Sequence, residues 1–322
     1  MATAEQAPIT SVGIVGAGLM GIGIAAVFAG AGVHVLVTDS NPARLDDVRP
    51  ELTRIAADAR AAGVLSLDDA AALPGRVRCV AASDALSEQV FVLEVVPERV
   101  SIKQDVYRVL ESVVSDEAII ASNTSGLMPS RLSETLAHPE RFLVAHFWNP
   151  PHAIPLVEVV PCPATSVWVL DRTVALLRAV GQEPVAIHHE IPGFIGNRLQ
   201  YALLREALAI VRSGAAGPAE VDAVMRASLG RRLATTGPIE TADLGGLDTF
   251  LSIAEHLMPA LAKDEDVLDL LRERVDAGNV GPRSGQGFYP WPPERLAAVR
   301  GRRDGDLLRR RREDREGRHG NA

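Results

Sequence analysis

Residues 11–21, SVGIVGAGLMG, set Gly16, Gly18 and Gly21 in a G-x-G-x-x-G turn between an apolar run and a stretch that reads as an amphipathic helix. In such a loop the first glycine permits a tight turn, the second lets backbone approach a pyrophosphate, and the third lets helix pack on strand. The helix start, from Leu19 and Met20, presents free N–H groups and the positive end of the dipole to phosphates. Eighteen residues beyond Gly21, Asp39 closes the next apolar run, VHVLVTD. A carboxylate there accepts from both adenosine ribose hydroxyls and repels a 2′-phosphate, which predicts NAD rather than NADP. Arg44, five residues further on, pulls the other way.

Beyond this motif, short apolar runs alternate with helical patterns as far as Ile187, the signature of a parallel sheet with crossover helices. Strands are expected at 11–15, 33–38, 77–80, 91–95, 119–122, 142–146, 156–160 and 184–187. The segment 41–75 is longer than one crossover helix needs and predicts a projecting helical hairpin. After Pro192 and Gly193 the strand signal stops, and Ile195, Leu199, Leu203 and Leu204 make one face of a long helix. The expected fold class is α/β: an N-terminal Rossmann-type doubly wound sheet with a C-terminal all-α domain. The NAD-binding domain takes residues 1–190, a helical domain 191–293, and a charged helix or tail 294–322.

With 322 residues, 47% hydrophobic and 23% charged, the chain has room for two cores and an ordinary soluble composition. No apolar run approaches the roughly 20 residues of a membrane span, and no basic segment precedes the first apolar stretch. The two cysteines, Cys79 and Cys162, exclude a disulfide framework and a cysteine-based metal site. His188 and His189 would point to opposite faces of an extended chain, so no metal is expected there. A cytoplasmic enzyme fits this composition. The net charge of −8 is uneven, because residues 295–322 hold ten arginines against five acids. An acidic body of this kind has no nucleic-acid footprint. The tail mixes signs at helical spacing and reads as a solvated terminal helix or frayed end. Lys103 and Lys263 are the only lysines among 33 basic residues, which singles out Lys103 for a task that arginine does not perform.

Four polar segments fall where ligands bind in open α/β sheets, at or beyond the carboxyl ends of strands. They are Ser122-Asn123-Thr124-Ser125, the run from His146 to Pro150, Glu158 within PLVEVV, and the run from Gly193 to Arg198 at the start of the helical domain. Alcohol oxidation needs a base for the hydroxyl proton, a group that holds the base and its cationic form, and donors around the emerging carbonyl oxygen. His146 suits the base, since imidazole titrates near working pH. Glu158 is a carboxylate in an apolar strand, costly unless paired, and His146 is its natural partner. Taken singly, each of these residues has a blander reading: a structural histidine, a solvent-facing glutamate, a loop-capping serine, a surface amide. Their joint placement favours the site.

The runs IIASNTSGL, HFWNP, PLVEVV and PGFIGNRL, in that order, resemble the L-3-hydroxyacyl-CoA dehydrogenase family, which includes L-gulonate 3-dehydrogenase and the lens lambda-crystallins. The resemblance extends from about residue 11 to Trp291, through GPIETADLGGLDTF and GPRSGQGFYPW. It implies His146 as general base, Glu158 as its orienting partner, and Ser125 and Asn197 on the reacting oxygen. It places Glu98, Lys103 and Asn149 on the nicotinamide side of an NAD site, and implies a homodimer formed through the helical domain. The small-molecule substrate would be an L-3-hydroxyacyl group oxidised to the 3-oxo product.

Departures from the pattern leave the acyl carrier open. Pro155 stands in AIPLVEV where acyl-CoA-acting members commonly carry a basic residue, so this stretch looks closer to relatives that take small free hydroxy acids such as gulonate or carnitine. GPIETADLGGLDTF looks like the CoA-acting branch. The 41–75 hairpin, which in CoA-acting members helps clasp the CoA, has no lysine but carries Arg44, Arg49, Arg54 and Arg60, and guanidinium also binds phosphate. An acyl-carrier-protein thioester remains a third carrier. His152 is a candidate substrate contact or a plain loop residue. The beta-hydroxyacid dehydrogenases, with a similar overall plan, use a lysine early in their second domain, and GFIGNRLQYALLREA has none. A non-catalytic crystallin-like or NAD-sensing role would not require the intact set Ser125, His146, Glu158 and Asn197.

Overall fold

The computed structural model describes residues 8–81, 83–263 and 265–320. The chain divides into two units, residues 1–197 with 300–322, and residues 198–299. The first is built on one eight-stranded sheet, ordered β3-β2-β1-β4-β5-β6-β7-β8. Its strands are β1 (Ser11–Val15), β2 (His34–Thr38), β3 (Val77–Cys79), β4 (Phe91–Glu94), β5 (Ile119–Ser122), β6 (Phe142–Phe147), β7 (Leu156–Pro161) and β8 (Glu183–Ala186). Each lies where apolar runs predict a strand, and the sheet reverses its order at β1 and β4, as a doubly wound Rossmann sheet does.

The sheet is parallel except where β7 runs antiparallel to β6. The link between them, residues 148–155, contains no helix. A parallel return needs a crossover of a dozen or more residues, so so short a link folds the strand back on its neighbour. This departs from the all-parallel expectation and has a chemical consequence: the antiparallel register sets His146 directly opposite Glu158.

Helix α1 (Leu19–Gly30) fills the first crossover. It is buried from Gly21 to Ala29 and has no polar face, so the amphipathic reading fails there. Its outer side is covered by the hairpin, α2 (Val48–Ala61) and α3 (Leu67–Ala72), whose Val48, Leu52, Ile55 and Ala56 join the core of Ile24, Phe28 and Val35. A helix covered on both sides has no use for polar residues. On the other face, α4 (Val100–Val113) and α5 (Pro129–Ser133) cover a second cluster around Tyr107, Phe142 and Phe194, while α6 (Val167–Ala179) leads to β8.

The second unit consists of the later part of α7 (Phe194–Ser213), then α8 (Pro218–Ala227), α9 (Leu229–Arg232), α10 (Pro238–Gly245), α11 (Leu247–Leu257), α12 (Asp269–Asp276) and the first residues of α13 (Pro293–Gly320). Within it, Tyr289 Oη donates to Asp222 at 2.8 Å and the Ala262 amide donates to Glu206 at 2.8 Å. Leu204, Leu208, Val211, Val221 and Phe288 line a small apolar pocket. Among the described residues, no helix is long and apolar enough to cross a membrane.

The Arg-rich tail is helical but not merely solvated. From Arg300 onward α13 belongs to the first unit, with Leu308 and Arg311 buried and Arg315 Nη1 donating to the Val64 carbonyl at 2.6 Å. Leu308, Arg311 and Arg315 share one helical face, and arginine stems cover apolar surface readily. The mixed signs read from the sequence pair along the outer face, Arg309 with Asp306 and Glu313, and Arg310 with Asp306.

Candidate active site

The glycine turn has the shape that its sequence demands. Gly16 has φ +117°, and a Cβ there would come within 2.7 Å of the Val95 carbonyl oxygen. A Cβ on Gly21 would lie 1.8 Å from the Gly16 carbonyl oxygen, so helix–strand approach requires glycine. Gly18 has open space where its Cβ would point, and it begins α1 without any side-chain cap. That leaves the first amides of α1, at Leu19 and Met20, available to an anion. At the end of β2, buried Asp39 accepts from the Ala17 amide and the Asn41 amide, both at 2.8 Å, while Arg44 stands 3.9 Å away. An open backbone cradle beside a carboxylate fits the phosphates and ribose of NAD.

Two carboxylates organise the floor of the site. Glu94, the last residue of β4, is fully buried and accepts four hydrogen bonds at 2.7 Å: from the Val96 amide, Lys103 Nζ, Tyr107 Oη and Ser122 Oγ. Burial and the Glu94 charge together hold the Tyr107 phenol well above its usual range. Lys103 Nζ also reaches the Val96 carbonyl at 3.2 Å and Glu98 at 3.4 Å. Glu98 in turn accepts from Thr124 Oγ1 at 2.5 Å and the Ser125 amide at 3.0 Å. Lys103 is thus a buried link from Glu94 to Glu98, and Glu98 holds the turn that carries Ser125.

Glu158 is the second carboxylate. Its Oε2 lies 3.0 Å from His146 Nδ1 and accepts from Trp148 Nε1 at 3.2 Å; its Oε1 accepts from the Ile195 and Gly196 amides, both at 2.9 Å. Burial by itself would raise the Glu158 carboxyl, but the bonds from His146, the Gly196 amide and Trp148 outweigh it and hold it below the ordinary 4.5. Phe194, with φ +52°, turns the chain so that the first amides of α7 face this oxygen. With Nδ1 donating to the carboxylate, His146 keeps the Nε2 lone pair for a substrate proton. Asn197 Nδ2 donates to the Ser125 carbonyl at 2.6 Å, and Asn123 Oδ1 accepts from the Phe147 amide at 2.8 Å. Hydrogen bonds therefore tie the turn after β5 to the end of β6 and to the start of α7.

Of the residues expected in the site, His146, Glu158, Ser125, Asn197, Glu98 and Lys103 belong to this connected network. Asn149 is exposed and outside the described hydrogen bonds, and Leu19 and Met20 lie at the glycine turn. His152 is held apart from the network, in a cleft lined by Ile55, Leu65 and Arg311. Burial and the nearby Arg54 keep its imidazole below the usual 6.5. Sequence reasoning missed Glu94, Tyr107, Trp148 and Phe194. Glu94 had a signal, an acid closing the apolar run FVLE, of the same kind that singled out Glu158.

This arrangement defines a dinucleotide-dependent dehydrogenase, and comparison with known proteins gives the family. The family described as 3-hydroxyacyl-CoA dehydrogenase, NAD binding domain, matches residues 11–191, and its C-terminal domain matches residues 193–291. The chain belongs to the 3-hydroxyacyl-CoA dehydrogenase family and is an NAD-dependent oxidoreductase acting on CH–OH groups. It is 35% identical over 309 residues to a 5-formyl-3-hydroxy-2-methylpyridine 4-carboxylate 5-dehydrogenase of Mesorhizobium japonicum, covering 94% of this chain and 98% of that one. Lambda-crystallin of Oryctolagus cuniculus is 36% identical over 303 residues, covering 92% and 93%. A probable 3-hydroxybutyryl-CoA dehydrogenase of Deinococcus radiodurans is 33% identical over 284 residues, covering 87% and 99%. A crystal structure of a dehydrogenase of the same pyridine carboxylic acid superimposes with TM-score 0.88 at 34% identity, over 95% of this chain and 99% of that one.

Proposed function

We propose that this enzyme oxidises an L-3-hydroxyacyl group to the 3-oxo product, with His146 taking the hydroxyl proton at Nε2 and Glu158 holding the imidazole in place. The His146–Glu158 pair, fixed by the β6–β7 register and a 3.0 Å contact, carries this reading. As His146 gains the proton, its charge is offset by a carboxylate already in hydrogen-bond contact, so no group has to move to stabilise it. Ser125 and Asn197 hold the substrate oxygen. Gly16, Gly18, Gly21, Leu19, Met20 and Asp39 would hold NAD, with Glu98, Lys103 and Asn149 at its nicotinamide end. When bound, NAD supplies the hydride acceptor.

A second reading, a small free 3-hydroxy acid in place of a CoA thioester, is favoured by the hairpin. Arg54 is engaged by Glu51 at 2.5 Å and Asp58 at 2.8 Å, and Arg44 faces Asp39. Two of the four hairpin arginines thus already face carboxylates, which weakens the hairpin as an anchor for the phosphates of CoA. The enzyme acts as a homodimer, with a second copy covering the apolar side chains that the helical unit exposes, among them Ile239, Leu244 and Leu247.

The test is NADH formation by the full chain on L-3-hydroxybutyryl-CoA, free 3-hydroxybutyrate, L-gulonate and L-carnitine. Turnover of the thioester at ten times or more the efficiency of the acids supports the CoA reading, and the reverse ratio supports the free acid. NADH formation on none of the four overturns both.

A further inference from the structure

Trp148 lies in the HFWNP segment, two residues past His146, so along the extended chain both rings leave on the same side. The indole sits between the catalytic pair and α7. Its ring centroid is 5.5 Å from that of His146, and Nε1 donates to Glu158 Oε2, the same oxygen that faces His146 Nδ1. On its other side the indole meets Gly196, where a Cβ would come 2.3 Å from the ring. The first turn of α7 can approach only because that residue is glycine. Glu158 thereby receives two backbone amides on one oxygen, and indole and imidazole on the other.

A carboxylate shared among four donors attracts each of them less than one shared among three. The amides of Ile195 and Gly196 are fixed by the backbone, and His146 is the group that must accept a proton. Trp148 is therefore the donor whose presence sets how strongly Glu158 holds the imidazolium. We propose that Trp148 is a positioning residue that tunes the proton affinity of His146, by competing through its indole N–H for the Glu158 carboxylate. This rests on His146 being the base, as proposed above. Of the neighbouring strands, β8 sets Val185 opposite Glu158, and β5 leads into the uncharged turn from Ser122 to Ser125. The Phe194 ring centroid lies 5.8 Å from that of the imidazole, and Glu98 and Lys103 are engaged by Thr124, Ser125 and Glu94. The sign follows. With the indole N–H removed, Glu158 holds protonated His146 more strongly, and protonation moves to higher pH.

The experiment is imidazole titration by NMR on full-length protein with labelled histidine, the His146 signal being assigned by its loss in His146→Gln. Trp148→Phe keeps an aromatic ring but removes the donor. Replacing Trp148 by 3-benzothienylalanine, in which sulfur takes the place of the N–H, keeps the shape of the indole and guards against loss of packing. Both variants are expected to raise the His146 midpoint by about half to one pH unit, since hydrogen bonds to charged groups act on this scale. Midpoints unchanged in the benzothienylalanine protein overturn the proposal, including the case where only the phenylalanine variant shifts, because then ring packing is responsible. The readout needs no substrate, so it is separate from the base role itself, which turnover of His146→Ala tests.

Discussion

Glu94 and Glu158 are both buried carboxylates on apolar strands, and each accepts four hydrogen bonds, yet their partners differ in kind. Glu94 is met by a lysine cation at 2.7 Å, a phenol, a serine hydroxyl and one amide. Glu158 is met by an imidazole, an indole and two amides at the start of a helix. Four short hydrogen bonds from buried partners pin Glu94, so it serves as a fixed joint between β4, α4 and the turn after β5. In the proposed reaction the imidazole takes up the substrate proton, so Glu158 has a partner whose charge would change during turnover. The same residue type in the same kind of strand is thus architecture at one place and, in the proposed reaction, chemistry at the other.

Three substitutions or conditions probe that contrast. The largest effect is expected for His146→Ala, which should lower kcat on the order of 10³-fold while leaving NADH affinity, read by fluorescence titration, nearly unchanged. An active His146→Ala enzyme would remove the chemistry from the Glu158 side. Next, Lys103→Met leaves Glu94 buried without its cation and should cost about 3–5 kcal/mol of stability in urea unfolding. If Lys103→Met instead weakened only NADH binding, Glu94 would not be a fixed structural joint, and the contrast would fail. The smallest effect is on acid stability. The Glu158 carboxyl is held below 4.5 in the folded chain, so its stabilisation is present above that value and is lost as pH falls through the lower folded one. His152 is likewise depressed below 6.5, so its share is lost first, as pH falls beneath that value. Melting temperature measured from pH 7 to 5 should decline in the wild type and less so in His152→Gln. Equal declines would show that the His152 cleft carries no proton linkage.

Much of the first unit was legible because its signals are local. All eight strands appear where apolar runs stop at glycine, proline or polar residues, and the glycine turn with Asp39 needs only chain order to be read. His146 and Glu158 could be matched because each is a polar residue out of place in its strand. Trp148 could not be assigned a task in this way, since a tryptophan after a buried histidine reads as packing until the indole N–H is seen on a carboxylate. Nothing local marks Tyr107 on α4, and its hydroxyl meets Glu94 only through packing on the sheet. The tail misled for a related reason. Paired opposite charges describe its outer face, whereas Leu308 and the arginine stems of the inner face take their meaning from the hairpin groove, more than two hundred residues away in sequence.

The sequence by itself determined the fold class, the glycine turn and the residue types of the His146–Glu158 pair, because strand periodicity, glycine sterics and the cost of an unpaired buried carboxylate act over a few residues. Tertiary structure alone decided how these groups are wired. It chose the antiparallel register that sets His146 against Glu158, the fixed lysine that locks Glu94, the helix start that shares Glu158 with Trp148, and the return of α13 onto the hairpin. Each of these depends on a hydrogen bond or packed surface between segments distant in the chain, and no local pattern specifies which distant group will arrive.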